Sequence, residues 1–399
     1  MSRPSPARAR PMSASRPASF SRAAALTVAA LAVASLGTAA LASPRLPGAS
    51  RTTAVAVPWR QAGPGWAIAE YSASVFVVGQ PSMDKPGVTT LYLISRTGAK
   101  YAFYSWPKSQ FPNWTVVDWS GDRQRVLVEA SGSPDNRYEQ ISLATGKVVS
   151  RFHLAVGVHV ESYTRPSGLN VLATRPGAAV EQVVRYDLTG RLARVLATGA
   201  RLRSAIDSPD GTSVIVGETG GLERVGNLGG HARQLSPPIP VEECHPVRWW
   251  TATIVLGSCL GMHTSRPRLW LFPVNGGPVK ALTPQRTSPS PDLGDLDGWQ
   301  VSHQRLLYLQ AIGACGTEMI VRQWRNGTAH VINVPFTSGD NRVVTGVGDR
   351  LLVWGKHPCG PGGALLWYNP GDNVVNFILR AVHNVVGVMS WAPYGRPLS

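Results

Sequence analysis

Thr90-Leu91-Tyr92-Leu93-Ile94-Ser95, then Arg96-Thr97-Gly98-Ala99-Lys100, then Tyr101-Ala102-Phe103-Tyr104-Ser105-Trp106, reads as a β-type run, a glycine turn and a second β-type run. The same succession recurs around Thr145-Gly146, Thr189-Gly190, Gly229-Gly230, Gly276-Gly277, Asn326-Gly327 and Pro370-Gly371. The second residues of these pairs lie 48, 44, 40, 47, 50 and 44 positions apart. This is the period of a four-stranded propeller blade rather than that of a helical solenoid.

Before each glycine turn a second pattern repeats: a short strand, a turn, and a strongly apolar strand. Val116–Ser120 precedes Val126–Glu129, and Ser204–Ser208 precedes Val214–Gly217. Val247–Trp250, Gly298–Ser302 and Val343–Val347 precede similar runs, and units near Tyr71 and Tyr163 complete seven. Runs such as Val214-Ile215-Val216 and Leu351-Leu352-Val353 lack the alternation of a sheet with one wet face, so they fit strands covered on both sides. The fold class expected is all-β: a single seven-bladed β-propeller of four-stranded antiparallel blades over 54–399, with six or eight blades as alternatives. Val385–Trp391 reads as an orphan strand, and Ala54–Trp59 is its expected partner in closing the ring.

The N-terminus reads as an address. Residues 1–22 are basic, 23–42 are apolar and rich in alanine, and Ala40-Leu41-Ala42 offers a small-x-small cleavage site. A signal peptide over 1–42 and a spacer over 43–53 are expected, with a retained membrane anchor as the alternative. The chain carries a formal charge of +16, of which Arg3, Arg8, Arg10, Arg16 and Arg22 supply five and the remainder +11. Such a balance attracts anionic polymers, but no basic run interleaved with aromatics marks a nucleic-acid groove.

Asp207-Ser208-Pro209-Asp210-Gly211, followed by the apolar run at Val214, resembles the Trp-Ser-Pro-Asp-Gly turn of the TolB-like propeller family. Trp119-Ser120-Gly121-Asp122 and Trp391-Ala392-Pro393-Tyr394-Gly395 look like degenerate copies. The resemblance implies an exported, non-enzymatic interaction module with no catalytic residues to carry over. The periplasmic translocation protein of that family has six blades and a preceding α/β domain, for which this sequence leaves no room.

Cys244, Cys259, Cys315 and Cys359 are the only cysteines, an even set in a chain expected to be exported. Cys244 and Cys259 flank a hairpin centred near Thr251-Ala252, so they are expected to be bridged. Cys315 and Cys359 occupy equivalent loops of adjacent units and form the second expected bridge. A four-thiolate zinc site lacks the close Cys-x-x-Cys pairs it needs. All four cysteines fall on the rim made by loops entering first strands and leaving second strands.

No nucleophile elbow, His-Glu-x-x-His helix or phosphate-binding glycine loop occurs. The nine histidines fall at differing positions in the repeat and so form no ring around an axis. Asp292, Asp295 and Asp297 superficially resemble a calcium loop, in what reads as an ordinary connection between units. Trp114 and Phe111, read as loop residues, are the aromatic ligand candidates. No cofactor and no metal are expected. The function expected is an exported scaffold for a protein or an anionic cell-envelope polymer, acting as a monomer. Its contact rim comprises Lys85, Arg137, Arg175, His263, Arg266, Glu318, Lys356 and His357, in loops after second strands. The alternative is a secreted lyase or hydrolase with its site at the central funnel.

Overall fold

The computed structural model describes residues 57–75, 87–106, 113–131, 136–177, 180–199, 202, 204–236, 239–262, 266–285, 292–301, 305–312, 317–323, 327–337, 340–356, 363–380 and 385–394. The expected signal peptide and spacer, and the Cys315–Cys359 bridge, lie outside them. The described residues fold as antiparallel β-structure. The chain begins with β1 (Ala67–Val75), β2 (Thr89–Ile94) and β3 (Lys100–Trp106). A four-stranded sheet follows: β4 (Asn113–Trp119), β5 (Arg125–Ser131), β6 (Arg137–Ser142) and β7 (Lys147–His153). The next holds β8 (His159–Tyr163), β9 (Asn170–Pro176), β10 (Glu181–Asp187) and β11 (Leu192–Gly199). After it come β12 (Ala205–Asp207), β13 (Ser213–Glu218), β14 (Gly221–Gly226) and β15 (Arg233–Gln234). Then follow β16 (Val241–Thr251), β17 (Ile254–Gly261), β18 (Pro267–Pro273) and β19 (Lys280–Ala281). Another sheet holds β20 (Asp292–Val301), β21 (Arg305–Ile312), β22 (Thr317–Gln323) and β23 (Ala329–Val331). The last strands are β24 (Asp340–Val347), β25 (Arg350–Lys356), β26 (Gly363–Asn369), β27 (Val374–Leu379) and β28 (Val385–Pro393).

β28 pairs along β1, giving the order β28-β1-β2-β3 from both ends of the chain. A single pair, Gly363 with Val388, joins this set to β24–β27. The expected partner of the C-terminal strand, Ala54–Trp59, is therefore corrected to Ala67–Val75. Trp59–Gln61 is one 3-10 turn, and Pro58 before it has no N–H for a ladder. Ala67, Ile68 and Ala69 are small or apolar and fully buried, which suits a strand between two others.

The second strand of each set explains the missing alternation in the sequence. Its residues do alternate, but between two apolar surroundings. Val126 and Val128 face the side of Ile68, Leu91 and Trp119, whereas Leu127 between them faces Tyr163 and Val171. Val214 and Val216 pack with Leu172 and Val183, and Ile215 with Trp249 and Phe272. Leu351 and Val353 meet Leu307 and Ile320, while Leu352 meets Ala67, Ala69 and Val388. Leu256 and Leu269 meet Tyr308 and Val321 at the remaining junction. Each four-strand set thus shares one apolar core with the set before it and another with the set after. The core containing Leu352 and Ala67 links the last set to the first, and first strands meet in turn, β28 with β4, β4 with β8 and β12 with β16. The fold is a β-propeller.

The glycine turns join third to fourth strands as the spacing required. Gly98, Gly146 and Gly190 have φ of +93°, +59° and +86° there, a region other residues reach only with strain. At the last turn Asn373, with φ +56°, takes that role in place of Gly371.

The Asp207 turn has a second duty. Ser208 Oγ donates to Asp210 Oδ1 at 2.6 Å, which also accepts the Thr212 amide at 3.0 Å. Asp207 accepts the Arg165 amide at 3.0 Å and the Arg185 guanidinium at 2.9 Å. Arg165 in turn donates to both oxygens of Asp118, at 3.0 and 2.8 Å. Buried charges therefore tie three successive sheets together. Burial raises the Asp207 carboxyl above its ordinary range, and Arg185 opposes that rise.

Candidate functional site

Four of the residues expected on the rim lie in strands rather than loops. Arg137 opens β6, Arg175 lies near the end of β9, Glu318 is second in β22, and Lys356 closes β25. Only Arg266 precedes its strand, and Lys85, His263, His357 and Phe111 fall outside the described residues. Cation–π contacts, hydrogen bonds and ion pairs hold these strand ends. Arg137 stacks over Trp114, with 4.9 Å to the ring centroid, and Arg175 Nε donates to Gln182 Oε1 at 2.7 Å. Trp114 is corrected from loop to strand. It lies in β4, 5% exposed, stacked on Trp106 at 5.1 Å.

Glu318 and Lys356 are brought to one place by two residues of β24 that the sequence reading did not single out. Glu318 pairs with Arg342 at 2.7 Å, and Lys356 with Asp340 at 3.3 Å. Asp340 Oδ1 also accepts the Glu318 amide at 3.1 Å. Arg342 and Lys356 both lie over the Trp354 ring, at 5.7 and 5.3 Å. Burial pushes the Glu318 carboxyl up to about 7; Arg342 opposes this, and the Asp340 and Asp297 carboxylates add to it. A carboxyl poised near neutrality is a feature of functional sites and of tightly paired ones alike. Asp340-Asn341-Arg342 could have been flagged from sequence only as charges at a strand start.

The aspartates of the supposed calcium loop are in strand β20, not in a connection. A bulge falls between Asp295 and Asp297 and breaks their shared facing. Asp297 pairs with Arg248, whose guanidinium stacks over Trp299 at 4.5 Å. Among the described residues no group of three or more His, Cys, Asp or Glu could hold a metal ion.

A concave site occurs where the sheet β16–β19 meets the start of β20. It is a cleft of about 90 Å³ whose lining includes Arg266, Arg268, Trp270, Cys259, Pro240 and Asp295. Arg268 lies over the Trp270 ring at 4.9 Å and donates through Nε to the Thr283 carbonyl. Burial lowers the Arg268 guanidinium from its ordinary value, and Asp295 opposes that. One wall is braced by the expected disulfide: Cys244 and Cys259 stand opposite each other in register and are bonded, with Cα atoms 4.0 Å apart. The cleft is too small for a whole ligand of ordinary size, about 300 Å³ or more, but admits a single charged group.

No protein-family model matches the chain, and no curated protein matches it. Solved structures do. TolB from Acinetobacter baumannii aligns at 15% identity over 82% of this chain and 66% of its own, with a TM-score of 0.43. A prolyl endopeptidase aligns at 12% identity over 77% of this chain and 50% of its own, with a TM-score of 0.52. Prolyl oligopeptidase B from Galerina marginata aligns at 9% identity over 80% and 51%, with a TM-score of 0.51. The chain spans about two thirds of that TolB and about half of either peptidase. The peptidase likenesses show a shared fold.

Proposed function

We propose that the chain is an exported seven-bladed β-propeller that docks a partner in the cell envelope by seating an anionic group of that partner in the Arg266–Arg268 cleft. The observation that carries this reading is the cleft itself, which Arg266, Arg268 and Trp270 line together at a disulfide-braced junction. Guanidinium suits carboxylate and phosphate because its planar fork matches their paired oxygens. The formal charge of +11 outside residues 1–42, which is +16 less the five arginines of that segment, adds long-range attraction for such groups. A disulfide fits an oxidising compartment, which supports export.

Titration calorimetry with polyglutamate and with polyphosphate, on the wild type and Arg266→Glu, tests the reading. Binding of either polymer that weakens at least about tenfold in the variant supports it, and the preferred polymer separates a polypeptide from a phosphate-bearing partner. Binding equal in the two proteins, or none to either polymer, overturns it.

A further inference from the structure

Three polar side chains that are not part of the cleft's lining meet where two first strands touch. Glu243 and His245 are two apart on β16, so they share a face. Ser204 stands just before β12, with its carbonyl held by the Gly217 amide at 3.2 Å. Ser204 Oγ lies 3.2 Å from His245 Nδ1, and His245 Nε2 lies 3.1 Å from Glu243 Oε1. The second approach has the distance of an ion pair but misses the direction of a hydrogen bond. A small rotation of the imidazole aligns the contact without moving the strand, and such contacts tighten when substrate binds. The His245 side chain is 42% exposed and that of Glu243 15%, so the base reaches solvent while its orienting carboxylate is sheltered.

The sequence builds this meeting through Gly217. A Cβ there would stand 2.1 Å from the Cys244 carbonyl oxygen, so only glycine lets β13 approach β16 this closely. Ser204 is bonded to Gly217, and His245 follows Cys244. The close approach therefore sets the serine beside the imidazole. Glu243-Cys244-His245 alternation was the available sequence signal, and nothing local pointed to the serine 39 residues earlier.

We propose that Ser204, His245 and Glu243 form a nucleophilic centre that hydrolyses carboxylic esters. His245 acts with its hydrogen on Nε2, towards Glu243, leaving Nδ1 to take the Ser204 proton. Ser204 Oγ bonds to the ester carbonyl carbon as its proton passes to Nδ1. The bond to the alcohol oxygen then breaks, and that oxygen takes the proton from Nδ1, leaving an acyl-serine. Water repeats the sequence, Nδ1 receiving and returning its proton, and the carboxylic acid leaves with Ser204 restored. Esters rather than amides fit a water-exposed site, since an alkoxide leaves with less help than an amine. Ser204 and His245 are the catalytic residues and Glu243 is a positioning residue.

A fluorophosphonate probe on the intact wild-type protein, followed by peptide mass spectrometry, is the first test, with p-nitrophenyl acetate turnover as the second. The expected result is an adduct on Ser204 and a kcat that falls at least about 100-fold in Ser204→Ala and in His245→Gln. Glu243→Gln lowers kcat with KM unchanged, and Glu243→Asp restores part of it. Absence of a Ser204 adduct on the folded wild type overturns the proposal whatever the variants do, as does equal turnover by wild type and a folded Ser204→Ala. Neither result bears on the anion cleft.

Discussion

Ser390 Oγ donates to Glu70 Oε2 at 2.6 Å, across 320 residues of sequence, and both side chains are buried. The same hydroxyl accepts the Val116 amide at 2.7 Å, so one serine of the last strand ties the first strand of the chain to the neighbouring sheet.

Glu70 makes the joint sensitive to alkali. Burial pushes its carboxyl up to about 8, with the Ser390 hydrogen bond opposing. A raised acid is protonated in the folded state, so its contribution to stability is complete below the unfolded value near 4.5 and is lost as pH climbs through about 8. Unfolding free energy measured by urea titration from pH 5 to 8.5 should fall more steeply for the wild type than for Glu70→Gln, the gap reaching on the order of a few kcal/mol. Parallel curves for the two proteins would show that Glu70 is not the group responsible.

Removing β28 should do more damage than its length suggests. A chain ending before Val385 exposes the edge of β1 and opens the core around Ala67, Ala69 and Leu352. Calorimetry is expected to show loss of the single cooperative transition. A truncated protein melting at an unchanged temperature overturns the closure assigned to this strand.

The Arg165 side chain is 7% exposed and faces Asp118, which is wholly buried. Arg165→Met leaves that carboxylate without its guanidinium and should cost about 3–5 kcal/mol in urea unfolding. Asp118→Leu combined with Arg165→Met should recover part of the loss. A cost below about 1 kcal/mol for the single change would mean that Asp118 finds another partner.

The disulfide closes a separation of 15 residues. Its replacement by two alanines should lower unfolding free energy by about 3 kcal/mol on the loop-entropy account. The denaturant midpoint should shift with the slope nearly unchanged; an unshifted midpoint would show that the hairpin needs no brace.

The parts of this fold legible in the sequence are those written within one unit. Gly98, Gly146 and Gly190 announced their turns because a backbone at positive φ leaves a residue-type signature. Cys244 and Cys259 announced their bond because they flank one hairpin, although its tip falls at Ala252-Thr253, one residue beyond the expected centre, and two bulges bring the cysteines opposite each other. What was not legible lies between units. Arg165 could pair with any of several carboxylates, and no local rule selects Asp118, 47 residues away. Trp114 read as a loop residue because its strand begins one residue earlier, at Asn113, without an apolar run. Arg137, Arg175, Glu318 and Lys356 suffered the same error, because charged strand ends look like loops until their partners are known. Asp292–Asp297 read as a connection because its aspartates and Gly294 break up any β-type run, yet it opens β20.

The pairing of β28 with β1 also sets a schedule for biogenesis. Three strands of one sheet emerge first in synthesis and their fourth emerges last, so no intermediate length of chain can complete the structure. Until the strand that carries Ser390 has left the ribosome, the edge of β1 and the core around Ala67 stay uncovered, so the last segment made is the one that seals the first.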